Sequence, residues 1–84
     1  MFYVYIIHSS SLNIYYKGFT TNLIIRLEYH NSGMSTYTSK ANDWLFVYHR
    51  AFETKREALI EEKRLKKLNV SSIKRIISNF NNKE

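Results

Sequence analysis

Residues 2–20 read FYVYIIHSSSLNIYYKGFT, and the division of this stretch decides the fold. Phe2–His8 is rich in aromatic and β-branched residues with a loose alternation, which predicts a strand. Ser9-Ser10-Ser11-Leu12-Asn13 is polar turn material. Ile14–Thr20 reads as a second strand, paired with the first as a hairpin. Gly18 inside it predicts a bulge or a close approach of backbone. Tyr5 and Tyr16 fall one on each strand. Neighbouring strands lie about 4.8 Å apart, so two phenols on one face flank a single substrate group. Ordinary cross-strand packing gives the same pattern. A phenol with a pKa of about 10 serves as a base only with help from a cation or a metal-bound water.

Downstream, Thr21 or Asn22 caps a helix running to about His30, with Leu23, Ile24 and Leu27 as its buried stripe. Asn31-Ser32-Gly33 ends it, Gly33 standing near the left-handed position common at helix ends. Residues 34–43 are polar and aperiodic and read as a loop. A third strand runs from Trp44 to about Phe52. Thr54-Lys55-Arg56-Glu57 fits a capping box for a helix reaching about Leu68, with Ala58, Leu59, Leu65 and Leu68 on one side. Ser71 or Ser72 caps a last helix through about Phe80, and the tail beyond it, residues 81–84, frays. The order ββαβαα predicts an α+β fold, a small three-stranded antiparallel sheet flanked by helices. Length bounds this to one domain over residues 1–84.

At roughly 100° per residue, Arg26 and His30 share a helix face that borders Leu23 and Leu27. An arginine there binds a phosphate by its fork and offsets transition-state charge; it also fits a snorkelling arginine beside a capping histidine. Glu62 projects between Ala58 and Leu65, close to the middle of the apolar arc, with Glu61 nearer its edge. Carboxylates are rarely buried unpaired, so an inward one pairs with a base or holds a metal. A surface bridge from Glu62 to Lys66 is the competing account, and projection leaves open which glutamate points inward.

The net charge is +6. Nine of the 13 basic residues and five of the seven acidic ones lie in the last 32 residues, an excess of +4 there against +2 in the first 52. Such a balance favours polyanion partners. No cysteine is present, which excludes disulfides and thiolate zinc sites. There is no leader pattern and no apolar run long enough to span a bilayer, so a cytoplasmic protein without a membrane partner is expected. The seven tyrosines supply strand propensity and core edges, and also stack on bases.

Taken in order, Tyr3-Val4-Tyr5, Tyr16-Lys17-Gly18, Arg26-Leu27, His30-Asn31-Ser32-Gly33, Trp44–Tyr48 and Glu57-Ala58 through Glu62 resemble the GIY-YIG nuclease superfamily, in particular its small single-domain bacterial members. The signature spans about residues 2–68, with the last helix, about 71–80, beyond it. The resemblance implies metal-dependent hydrolysis of phosphodiester bonds in DNA with one divalent ion, Mg2+ or Mn2+. It implies Tyr16 as the base or the group orienting the attacking water, Tyr5 positioning water or phosphate, and Arg26 stabilising phosphorane-like charge. Glu62 would hold the metal and His30 would support the site. Two positions depart from the signature: Tyr3 stands where its first glycine falls, and Lys17 where an apolar residue is usual. On a strand Lys17 points away from Tyr16. Further nucleic-acid contacts are expected from Lys17, Lys63, Arg64, Lys67, Lys74 and Arg75. The alternatives are a non-catalytic nucleic-acid-binding module, or a protein-interaction domain using Tyr37, Trp44 or Tyr48 as exposed aromatics.

Overall fold

The computed structural model describes residues 1–82. Strand β1 (Phe2–Ser9) lies at the centre of an antiparallel sheet of order β2-β1-β3, with β2 (Ile14–Thr20) and β3 (Trp44–Phe52) at its edges. Helix α1 (Leu23–Asn31), a short 3₁₀ turn (Thr38–Lys40), α2 (Lys55–Lys66) and α3 (Val70–Asn81) complete the chain. The α+β class and the order ββαβαα are those read from the sequence. Of the expected fraying tail, residues 83–84 lie outside the described residues.

Being central and covered on both faces, Val4, Ile6 and Ile7 of β1 are wholly buried and Tyr5 nearly so. Alternation divides them between two cores. Val4 and Ile6 join Tyr48, Ala58, Leu65 and Ile73 beneath α2 and α3. Tyr5 and Ile7 join Trp44, with Leu23 and Leu27 of α1 packed against them. The hairpin turns through Asn13, which takes a positive φ of 52°, a conformation asparagine tolerates better than most residues. The Asp43 carboxylate accepts hydrogen bonds from the Ser9 hydroxyl (2.6 Å) and the Ser11 amide (2.8 Å), tying the turn to the start of β3.

The sheet is irregular once. Ile6 pairs with Tyr48 but Ile7 pairs with Phe46, leaving Val47 as an extra residue in β3. This bulge puts Val47 and Tyr48 on the α2–α3 side while Phe46 and Trp44 face Tyr5. Gly18 carries no bulge; its role is the close approach, described below.

Capping follows the sequence at two helices and departs from it at the third. The Asn22 side chain accepts from the Ile25 amide at α1, and Thr54 from the Glu57 amide at α2 while donating to the Glu57 carboxylate. Helix α3 is capped by Asn69, not by Ser71 or Ser72, and so starts earlier, at Val70; the asparagine carbonyl reaches the Ser72 amide from one residue before the helix. Helix α2 ends at Lys66, short of Leu68.

Two expected core residues face outward: Ile24 is 74% exposed and Leu59 40%. The inward stripe of α1 is Leu23, Arg26, Leu27 and His30, an i, i+3, i+4, i+7 set, and Ile24 is rotated roughly 100° from it.

Candidate active site

The face of the sheet beneath α1 carries a connected run of buried polar groups. It begins at Tyr5. Tyr5 pairs with Gly18 across β1 and β2, and its ring crosses β2 directly over that glycine. A Cβ built on Gly18 falls onto the Tyr5 phenol oxygen. Only a residue without a side chain lets the ring lie flat here. The phenol reaches His30 Nε2 at 2.7 Å, and His30 Nδ1 lies 2.7 Å from the Thr38 hydroxyl. The Thr38 carbonyl in turn accepts from the Trp44 indole N–H at 2.9 Å. Asn31 brackets the Trp44 backbone, donating to its carbonyl (3.1 Å) and accepting from its amide (2.8 Å). His30 is 2% exposed and Thr38 fully buried, so each polar atom in the run depends on its neighbour for satisfaction.

Tyr16 stands on the same face, since it pairs with Ile7 two positions along from the Tyr5–Gly18 pair. Its ring lies edge-on to His30 at 5.1 Å and against Tyr37 at 5.4 Å. Arg26, one turn before His30, has its guanidinium 5.1 Å from the Tyr29 ring centre. Lys17 pairs with Ile6 and points to the opposite face, as alternation requires.

Electrostatics mark the Tyr5 phenol as the focus. Burial pushes its pKa far above the ordinary value; Arg26 opposes this, and Tyr16 and Glu62 add to it. Burial, and then Arg26, push the His30 imidazole down from 6.5. Near neutral pH both groups are therefore uncharged, and the charges around them belong to Arg26 and Glu62. Phenol and imidazole share one hydrogen bond and the imidazole a second with Thr38. With its proton on Nε2, the histidine donates to Tyr5 and leaves the phenol proton free for a third group.

The two glutamates of α2 straddle the Ala58–Leu65 line. The more buried is Glu61, at 9% exposure, contrary to the projection that put Glu62 at the centre and Glu61 toward the edge. Glu61 lies within electrostatic reach of Tyr48 and Arg50 and is clasped by Arg64 through two hydrogen bonds of 2.8 and 2.7 Å, which hold its carboxyl below the usual range. Glu62 lies on the other flank, where its charge reaches Tyr5. It also makes the i,i+4 bridge to Lys66, at 3.4 Å. Among the described residues no three His, Cys, Asp or Glu side chains converge as a ready-made metal cage.

The site thus brings Tyr5, Tyr16, Arg26 and His30 to one face, with Glu62 within electrostatic reach. Of the basic candidates, Arg64 is engaged by Glu61, Lys17 is half-buried, and Lys63, Lys67, Lys74 and Arg75 are exposed. Two of the three supposedly exposed aromatics are not: Trp44 is fully buried and Tyr48 is 8% exposed, while Tyr37 is 52% exposed. The bulge seats each buried ring in a different core. Sequence reading missed Thr38 and Asn31 as supports. Residues 34–43 have no period, and nothing local marks a threonine that meets a histidine eight residues away.

The GIY-YIG catalytic domain model matches residues 1–76. A UPF0213 protein of Clostridium perfringens is 38% identical over 85 residues, covering all of this chain and 90% of that one. One from Staphylococcus haemolyticus is 37% identical over 65 residues, 76% of this chain and 78% of that one. The solution NMR structure of the UPF0213 protein from Bacillus halodurans superposes with a TM-score of 0.60 at 31% identity, over 93% of this chain and 84% of that one. No described helix is long and apolar enough to cross a membrane. The Tyr5–Gly18 contact and the histidine beneath it thus sit in a chain that belongs to the GIY-YIG catalytic domain family.

Proposed function

We propose that this chain is a metal-dependent endonuclease that hydrolyses phosphodiester bonds in DNA. The observation that carries this is the buried Tyr5–His30–Thr38 run, with Tyr16 against His30 and the charges of Arg26 and Glu62 within electrostatic reach of the phenol. An apolar core would place none of these groups there.

Tyr5, kept protonated by burial, is a hydrogen-bond donor and not a base. It holds a phosphate oxygen or the attacking water while His30 and Thr38 fix its direction. Tyr16 stands beside it as the group that orients or deprotonates the water. Arg26 offsets the negative charge that grows on phosphorus-bound oxygens.

Glu62 fits a magnesium or manganese ion of the kind that keeps most of its waters and takes one carboxylate plus substrate phosphate. Lys66, half exposed, gives up its bridge at little cost when a dication takes its place. Glu62 would hold the ion, whose chemistry when bound would be Lewis-acid polarisation and charge stabilisation at the leaving oxygen.

The test is cleavage of labelled duplex, branched and single-stranded DNA with magnesium, with manganese and with a chelator. Glu62→Gln and Tyr16→Phe are each expected to lower the rate by about 10² or more without unfolding the chain. Cutting that persists in both variants, or under chelator, would sink the assignment. Binding without cutting in every form would leave a nucleic-acid-binding module.

A further inference from the structure

A second feature lies beside this site, around the free edge of β2. A cavity of about 280 Å³ opens between that edge and the α2–α3 junction, bordered by Asn13, Tyr15, Lys17, Tyr37, Ile73 and Lys74. Tyr37 belongs to both places, since its ring also lies 5.4 Å from Tyr16. Its position is not accidental. The next residue, Thr38, is anchored to His30 and Trp44, so the turn that supports the site's histidine also sets Tyr37 at the cavity mouth. The Lys40 ammonium lies 5.7 Å from the centre of the same ring.

The lining has the chemistry of a nucleotide site. Aromatic rings and an apolar floor suit a base, the Asn13 amide suits its polar edge, and Lys17 and Lys74 suit a phosphate. The volume sits at the lower limit of small-molecule pockets, enough for one planar group and not for a base pair. From the Tyr16 face the path bends around a strand edge. Duplex DNA, stiff over about 150 base pairs, cannot follow that bend, whereas a single strand turns within a nucleotide. This also gives Lys17 a use on the face opposite Tyr16.

We infer that this cavity is a subsite for one unpaired nucleotide of the substrate strand, next to the scissile phosphate, and that the substrate therefore carries single-stranded DNA at the cut. The inference rests on the nuclease reading for the position of that phosphate.

It is tested without cleavage, in chelator, by fluorescence anisotropy. The probes are labelled hexathymidylate, a sugar–phosphate strand of the same length without bases, and a blunt duplex. Hexathymidylate is expected to bind about tenfold tighter than the baseless strand. Tyr37→Ala should erase that difference. The double variant Lys17→Gln/Lys74→Gln should weaken both strands alike and reduce the salt slope by about 1.4. Tyr37 is half exposed, so a thermal melt should show its variant folded. Amide resonances of Asn13, Lys17, Ile73 and Lys74 should shift with hexathymidylate. Equal affinity for strands with and without bases, an unaffected Tyr37→Ala, or unmoved resonances would overturn the subsite. Base-dependent binding without metal-dependent cutting would keep the subsite and sink the nuclease reading; cutting without base dependence would do the reverse.

Discussion

Strand β1 supplies both faces of this sheet, and the two are built on different physics. Val4 and Ile6 look into a core of Tyr48, Ala58, Leu65 and Ile73, where any well-packed apolar set would serve. Tyr5 looks into a face where a phenol, an imidazole and a hydroxyl satisfy one another and an indole donates to the threonine's backbone carbonyl. The first face is tolerant in chemistry and demanding in volume. The second is demanding in both, because removing any one group leaves its neighbour buried and unpaired. The contrast separates what holds the chain together from what aims it.

The largest effect should come from the apolar face. Leu65→Ala is expected to lower unfolding stability by about 3 kcal/mol, read from urea melts, while the cleavage rate per folded molecule stays unchanged. A rate that falls with stability would blur the division. Next, Gly18→Ala drives a methyl group onto the Tyr5 phenol. The overpacking should cost about 2 kcal/mol. Displacing the phenol from His30 should slow cleavage by about a hundredfold, out of proportion to the stability lost. Retained activity would mean that the position of Tyr5 does not matter.

The smallest effects belong to the support of His30. Thr38→Val keeps the shape but strands Nδ1, at a cost of about 1.5 kcal/mol. pH sharpens the point. The folded imidazole has a pKa below the 6.5 of a free histidine, so on acidification the unfolded chain takes up a proton before the folded one does. This contribution to stability is full above about 6.5 and is lost as pH falls from there through the folded-state value. Urea midpoints between pH 7.5 and 5.5 should decline in the wild type and decline less in His30→Gln. An identical decline in both would place the titration elsewhere. Asp43 and Glu61, whose carboxyls are held below the usual range, titrate beneath this window.

Much of the fold was legible because periodicity reports faces. Ile14–Thr20 was bounded as the structure has it, whereas the common face of Tyr5 and Tyr16 depends on the hairpin register, which alternation along one strand does not supply. Periodicity does not report depth. It put Glu62 near the middle of the apolar arc and Glu61 toward its edge, although Glu61 is the more buried, because the Ala58–Leu65 line runs between the two. It placed Ile24 and Leu59 inside because they are apolar, although their neighbours occupied the inward positions. It was silent on Thr38, whose partners are fixed only when α1 and β3 meet. The capping of α3 was misjudged for a simpler reason: three polar residues compete there, and Asn69 precedes the serines.

The extra residue at Val47 has a consequence for how β3 tolerates change. Counted from Trp44, alternate residues face Tyr5; counted back from Phe52, they face the helices α2 and α3. The strand is read in two frames, joined at one position. A deletion at Val47 would join the frames into one regular ladder and leave every ring on its face, whereas a deletion at Leu45 or His49 would send an aromatic ring into the wrong core. Substitutions in β3 are local events, but a residue gained or lost away from the bulge is a global one. Relatives aligned across this strand keep their aromatic residues on matching faces only if the gap falls at the bulge.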